Sequence, residues 1–185
     1  MTKDIWNIPN ILSLSRIAAA PLLTVILLNP TRYYSTIAAV IFSLAALTDW
    51  LDGYLARRMN ITTVLGKFLD PLADKALIIT SLIMLIPAGR VPAWMVSLIV
   101  GREIAVTGLR AVIAKEGIAI SASALGKYKT TFQAAAVIAL LIHYPFFDID
   151  FQAIGMILVW LALGFTLWSG IDYFVKFLKE IGNTS

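Results

Sequence analysis

Apolar residues run along this chain in six long blocks, at about 11–28, 34–51, 70–86, 92–114, 125–143 and 152–174. The stretches between them read "NPTRYY", "RRMNITTVLGK", "PAGRVP", "KEGIAISAS" and "YPFFDID". These are the Pro, Gly, Asn and Ser clusters that punctuate helices. Each block approaches the roughly 20 apolar residues that a helix needs to cross a bilayer. The pattern predicts an all-α, polytopic membrane protein with six transmembrane helices. The second block merges at its end with an acidic stretch. No internal repeat, low-complexity tract or composition shift divides the chain, so residues 1–185 are expected to form one domain.

Composition sharpens the choice of solvent. Of 185 residues, 59% are hydrophobic and only 14% charged, and the mean hydropathy is +0.85. Soluble domains carry about 25% charged residues. No soluble fold of this length covers so much apolar surface, which points to lipid. The chain has no cysteine, which excludes a disulfide framework and thiol chemistry. Its start, "MTKDIWNIPN", lacks the apolar run and small-residue cleavage site of a signal peptide. The first apolar block is therefore expected to stay in the mature chain.

Charge supplies orientation. Lys3, Arg57, Arg58, Lys67, Lys115, Lys127, Lys129, Lys176 and Lys179 fall on one side of the six predicted spans. Arg32 and Arg90, with Asp148 and Asp150, fall on the other. Lys and Arg accumulate on the cytoplasmic side. Both termini and the acidic stretch are thus expected to face the cytoplasm. Trp6, Tyr33, Tyr34, Trp94 and Tyr144 lie near predicted span ends, where aromatic rings favour the interface. The net charge of +4 sits at membrane edges, which suits anionic lipid and gives no reason to expect nucleic acid.

The acidic stretch is "TDWLDGYLARRMNITTVLGKFLDPLADK", residues 48–75. Asp49 and Asp52 are spaced i,i+3 and share a helix face. Gly53 and Ala56 follow on that face, leaving room beside the acids. Asp70 and Asp74, spaced i,i+4, share a face of the next helix. If the two helices are neighbours, four carboxylates converge. Ionised acids in apolar surroundings are costly and mark function, and an all-carboxylate site suits hard cations such as Mg²⁺ and Mn²⁺. Two such ions form a known device for displacement at phosphorus. Structural readings exist for single residues: Asp70 before Pro71 has the form of an N-cap followed by proline, and Asp49 or Asp52 could pair with Arg57 or Arg58.

Written as Asp49-x2-Asp52-Gly53-x2-Ala56-Arg57-x8-Gly66-x3-Asp70-x3-Asp74, the stretch resembles the signature of the CDP-alcohol phosphotransferases, with every fixed position filled. The resemblance fits the six-span layout and extends over nearly the whole chain. It implies that Asp49, Asp52, Asp70 and Asp74 hold two divalent cations, Mg²⁺ or Mn²⁺, and that Asp74 is also the general base. It implies that Gly53, Ala56, Arg57 and Gly66 line the CDP site, with Thr63 near the nucleotide. Arg57 also has the chemistry for charge-assisted bonds to a diphosphate. The segment "PNILSLSR" resembles the start of the family's first helix, where Asn10 and Ser13 would frame the CDP pocket; taken alone, both read as helix caps. The resemblance further implies a homodimer, in the inner (cell) membrane of a bacterium, with its active site facing the cytoplasm.

Two more clusters bear on the acceptor alcohol. "GREIAVTGLR" places Arg102 and Arg110 two turns apart, with Glu103 and Thr107 nearby, and "GKYKTTFQ" places Lys127 and Lys129 at the start of the fifth span. Positive-inside topology accounts for either lysine alone. The arginines sit inside an apolar span, where arginine faces the bundle interior and meets a partner. A basic pocket beside a metal site suits an acceptor carrying its own phosphate. Both segments are similar to those of the bacterial branch of the family that uses glycerol 3-phosphate. The implied reaction moves the phosphatidyl group of CDP-diacylglycerol to glycerol 3-phosphate, with Arg102, Arg110, Lys127 and Lys129 binding the acceptor phosphate. Thr107, Tyr128 and Gln133 are further hydrogen-bonding candidates. The lone His143 falls at the far end of its span, so a covalent route is not expected. Competing readings are another acceptor within the family, inositol phosphate or phosphatidylglycerol, and from a different class a small cation transporter. The transporter reading lacks the discontinuous helices and two-half repeat that would support it.

Overall fold

The computed structural model describes the backbone of residues 8–59, 64–115, 124–145 and 148–184; the side chains of 8–9, 49–59, 64–68, 70–71, 113–115, 124–127 and 180–184 lie outside the description. Among the described residues six helices follow one another: α1 (Ile8–Leu27), α2 (Arg32–Met59), α3 (Val64–Leu85), α4 (Ala93–Lys115), α5 (Ala124–Ile142) and α6 (Phe151–Thr184). The described residues contain no β-sheet.

Local chemistry sets several of the ends. Thr31 precedes α2, and its hydroxyl accepts the Tyr34 backbone N–H at 3.4 Å. Asp150 precedes α6 and accepts the Ala153 N–H at 3.0 Å. Each is a side-chain oxygen taking one of the orphan donors of a first turn. Gly89 turns the chain between α3 and α4 with φ +71°, a conformation that costs glycine little. His143 closes α5 with φ +55°.

Three boundaries differ from the sequence pattern. Helix α2 runs on through the acidic stretch to Met59. Helix α3 begins at Val64, a full turn and more before Asp70. Asp70 is therefore interior to α3, and its reading as an N-cap before Pro71 is corrected. Helix α6 continues for 34 residues, beyond the polar residues that follow its apolar part.

Helix α1 packs along both α2 and α3, which touch each other at only a few positions. Helix α5 occupies the other centre, against α2, α3 and especially α6, while α4 leans on α6 and meets α3 thinly. Leu23, Leu27, Phe42, Leu77, Leu82, Leu85, Met95, Ile99, Val137, Leu140 and Val159 form the core. Small residues let the axes approach. A Cβ on Gly155 of α6 would stand 2.5 Å from Leu140 Cδ2 and 3.2 Å from the Leu140 nitrogen of α5. This close approach of backbones is typical of helix packing in membranes.

The outer surface is apolar. Leu22, Val25, Leu44, Leu47, Leu98, Ile104, Ile157, Trp160, Trp168 and Ile171 are all exposed, far more than a soluble monomer leaves in contact with water. Among the described residues, two helical stretches are long and apolar enough to cross a membrane, Asn10–Leu27 and Phe151–Lys179. Arg32–Thr48 and Tyr128–Ile142 are shorter apolar stretches. In α3 and α4 the ionisable residues Asp70, Asp74, Lys75, Arg102, Glu103 and Arg110 interrupt the apolar run.

Arg90 departs from its expected place among the loop cations. It is 2% exposed. Its Nη1 donates to the carbonyls of Leu140 (3.1 Å) and Leu141 (3.0 Å). Its Nη2 donates to the Pro30 carbonyl (3.1 Å) and Ser35 Oγ (2.7 Å). The Tyr144 ring lies 5.7 Å from the guanidinium carbon. One arginine thus ties the α1–α2 turn to the last turn of α5, where its charge also suits the negative end of the helix dipole.

Candidate active site

The inner face of α1 carries a polar stripe. Asn10, Ser13 and Arg16 are spaced by threes and are 1%, 0% and 1% exposed. None is a cap, since α1 already begins at Ile8; the capping alternative for Asn10 and Ser13 is corrected. Buried polar groups are kept only where they find partners. Arg16 Nη2 donates to Ser13 Oγ at 3.4 Å, and Arg16 Nη1 donates to Asp74 Oδ1 on α3 in a direct ion pair. The fourth aspartate of the motif therefore stands against the stripe, with its side chain 37% exposed.

One residue on, Lys75 leaves α3 toward α4. Its ammonium donates to Thr107 Oγ1 and lies 3.9 Å from Glu103 Oε2. Glu103 is the acid around which the cations gather. Its Oε1 accepts from Lys129 of α5 and from Arg102 Nη1 at 3.1 Å. Arg102 spends its other donors on α6, Nε to the Thr166 carbonyl at 3.1 Å and Nη2 to Ser169 Oγ at 2.8 Å. A Cβ on Gly170 would stand 3.1 Å from Arg102 Cγ, so that position of α6 leaves room for the arginine stem. Thr107 Oγ1 donates to the Glu103 carbonyl at 2.6 Å. Arg110 lies over the Tyr173 ring at 5.5 Å.

Helix α4 thus presents two faces. Arg102, Val106 and Arg110 lie toward α6, where Val106 packs on Tyr173. Glu103 and Thr107 lie toward α3 and α5. Lys75 sits at the junction, within electrostatic range of Arg102, Arg110 and Asp74. The acidic motif and the basic cluster are joined through this one side chain.

The sequence-predicted residues divide accordingly. Arg102 and Lys129 are brought together on Glu103, while Arg110 is held at the aromatic ring of α6. Gln133 is buried and donates to Thr166 Oγ1 at 3.2 Å. Tyr128 is exposed, its ring 6.0 Å from that of Phe165. Asp49, Asp52, Gly53, Ala56 and Arg57 ride on α2, Gly66 and Asp70 on α3 and Lys127 on α5, with side chains outside the description; Thr63 lies outside the described residues altogether. Two residues the sequence pattern passed over are prominent. Arg16 carried a usable signal, an arginine inside an apolar span. Lys75 carried only its position beside Asp74.

The family model for CDP-alcohol phosphatidyltransferase matches residues 6–168. The chain belongs to that family. Its similarity to curated members runs nearly end to end. It is 43% identical over 183 residues to the CDP-diacylglycerol–glycerol-3-phosphate 3-phosphatidyltransferase of Bacillus subtilis (strain 168), covering 92% of this chain and 95% of that one. It is 37% identical over 174 residues to the enzyme of the same name from Salmonella choleraesuis (strain SC-B67), covering 91% and 93%. It is 36% identical over 169 residues to that of Rickettsia bellii (strain RML369-C), covering 91% and 93%. Family membership removes the transporter reading.

The donor set fits a divalent cation of the kind this family implies. Four carboxylates lie on two helices that flank α1, and hard ions of the Mg²⁺ and Mn²⁺ type select such all-oxygen sets. Among the described residues no three of His, Cys, Asp or Glu gather. Of the motif acids only Asp74 has its side chain described, and there the buried Arg16 guanidinium supplies compensating positive charge.

Proposed function

We propose that this chain transfers the phosphatidyl group of CDP-diacylglycerol to glycerol 3-phosphate, yielding phosphatidylglycerophosphate and CMP. The observation that carries the reading is the junction at Asp74 and Lys75. An acid of the family motif adjoins a cluster of cations suited to an acceptor with its own phosphate. The relatives over 91–92% of the chain, all named for this acceptor, support the same choice.

Asp74 takes the proton of the acceptor hydroxyl. The hydroxyl oxygen attacks the phosphorus on the diacylglycerol side of the diphosphate. A new oxygen–phosphorus bond forms, the bond from that phosphorus to the bridging oxygen breaks, and CMP leaves with the electron pair. Arg16 holds the Asp74 carboxylate in place through a charge-assisted bond. Asp49, Asp52, Asp70 and Asp74 hold two divalent cations, Mg²⁺ or Mn²⁺, which when bound supply positive charge to the transferring diphosphate. Asn10, Ser13, Gly53, Ala56, Arg57, Thr63 and Gly66 frame the CDP moiety. Arg102, Arg110, Lys127 and Lys129 provide the positive field for the acceptor phosphate.

All six helices span the bilayer of a bacterial cell membrane, with both termini and the site on the cytoplasmic side, and the chain works as a homodimer. The apolar outer surface supports the membrane reading. Helices α1 and α6 carry the stretches of clear spanning length among the described residues.

The test is CMP release by the purified protein in detergent, with CDP-diacylglycerol as donor and acceptors added singly. Glycerol 3-phosphate should support release far above inositol phosphate, phosphatidylglycerol or serine. A better rate with any of these would overturn the acceptor.

A further inference from the structure

The three cations gathered around Glu103 are not equivalent. Arg102 is 12% exposed and commits Nε, Nη1 and Nη2 to Thr166, Glu103 and Ser169. Lys129 is 9% exposed and donates to Glu103. These two form a buried frame around one carboxylate. Lys75 differs. Its side chain is 33% exposed and reaches Glu103 only at 3.9 Å. It crosses the thin α3–α4 contact to the Thr107 hydroxyl, an uncharged seat that an incoming anion can replace or share.

We infer that Lys75 is a specificity-determining residue for the acceptor: its ammonium binds the phosphate of glycerol 3-phosphate while the neighbouring Asp74 receives the acceptor's hydroxyl. The inference rests on the proposed function above. Consecutive Cα atoms stand about 3.8 Å apart, and consecutive helical side chains diverge by about 100°. Adjacent residues on α3 therefore address two separated groups of one small molecule. Glycerol 3-phosphate carries its reacting hydroxyl and its phosphate at opposite ends of three carbons. Asp74 and Lys75 act as a ruler for that separation. Glu103 and Thr107 are positioning residues. The acid holds Arg102 and Lys129 close behind the lysine, and their excess positive charge favours an anion there over a neutral alcohol.

The experiment measures KM for each substrate in Lys75→Met, Lys75→Arg and Thr107→Val, using purified full-length protein. Lys75→Met is expected to raise KM for glycerol 3-phosphate about tenfold or more, the scale of one charge-assisted bond. KM for CDP-diacylglycerol should stay within about twofold, and Lys75→Arg should recover most of the loss. Thr107→Val keeps the charge and removes its seat, so it should raise the acceptor KM by several fold. A merely structural lysine would lower thermal stability and shift both KM values together. With wild-type protein active, an unchanged acceptor KM in Lys75→Met overturns the assignment. If that variant does not fold, an unchanged acceptor KM in Thr107→Val overturns it. If wild-type protein releases no CMP with glycerol 3-phosphate, the acceptor reading itself fails, and the role of Lys75 with it.

Discussion

Arg16 of α1 and Asp74 of α3 form an ion pair across 58 residues of sequence, with the arginine 1% exposed. The pair joins the polar stripe of the first helix to the last acid of the motif. It brings the first helix against the candidate site.

Removing one partner of a buried pair leaves an uncompensated charge. Arg16→Ala should cost about 3 kcal/mol, at the low end for such pairs because Asp74 retains some contact with the surroundings. The double variant with Asp74→Ala should lose less than the sum of the two singles, by about 1 kcal/mol or more. Thermal unfolding in detergent measures the cycle. Strict additivity would mean that the two residues do not interact in the folded protein.

Turnover should require a divalent cation. Chelation with EDTA should abolish CMP release, and Mg²⁺ or Mn²⁺ should restore it. Ca²⁺ should substitute poorly, since it prefers a larger and looser oxygen cage. Asp49→Asn, Asp52→Asn and Asp70→Asn should each raise the cation concentration needed for half-maximal rate. Full turnover in excess chelator would remove the metal from the reaction.

Asp74→Asn should fail in a different way. Loss of a general base costs roughly 10²–10⁴-fold in rate, and a neutral amide still fits the space beside Arg16. Binding of CDP-diacylglycerol should persist while turnover falls. Near wild-type turnover in this variant would take the base role away from Asp74.

The six helices were legible because turn-forming clusters separate the long apolar runs, although among the described residues only two of those runs reach spanning length. Their ends were less so. Hydropathy reports where apolar character stops, but α2 and α6 remain helical past that point, reaching 28 and 34 residues in all. The acidic motif was legible as spacing, and its helical placement holds for both pairs of aspartates. The faces of α4 were read only halfway. Arg102 and Arg110 do share a side, yet the neighbouring Glu103 and Thr107 turn toward α3 and α5, and spacing alone does not say which neighbour each face meets. Asn10 and Ser13 looked like caps because polar residues near a helix start usually are. Their burial depends on α3 arriving from more than fifty residues away. Arg90 had the least signal of all. A loop arginine looks solvated until tertiary structure brings three main-chain carbonyls around it.

Arg90 supplies a test that separates architecture from chemistry. Its donors satisfy the carbonyls of Pro30, Leu140 and Leu141 and the Ser35 hydroxyl. Gln152 Nε2 in turn donates to the Arg90 carbonyl at 2.9 Å, and its Oε1 meets His143 Nδ1 at 2.9 Å. Arg90→Met keeps much of the stem volume and deletes the donors. Each buried acceptor left without a partner costs roughly 1–3 kcal/mol, so the total loss should be about 3 kcal/mol or more. Arg90→Lys should recover only part of this, because one ammonium lacks the fork that reaches α5 and the α1–α2 turn together. Arg90 lies in the turn that joins α3 to α4, and its donors go to the α1–α2 turn, α2 and α5, not to the Glu103 cluster. Protein that remains folded at low temperature should therefore keep wild-type KM values for both substrates, while its midpoint of thermal unfolding falls. A selective rise in the acceptor KM, at unchanged thermal stability, would instead make Arg90 part of the binding machinery and would undo its assignment as the clasp of the far end.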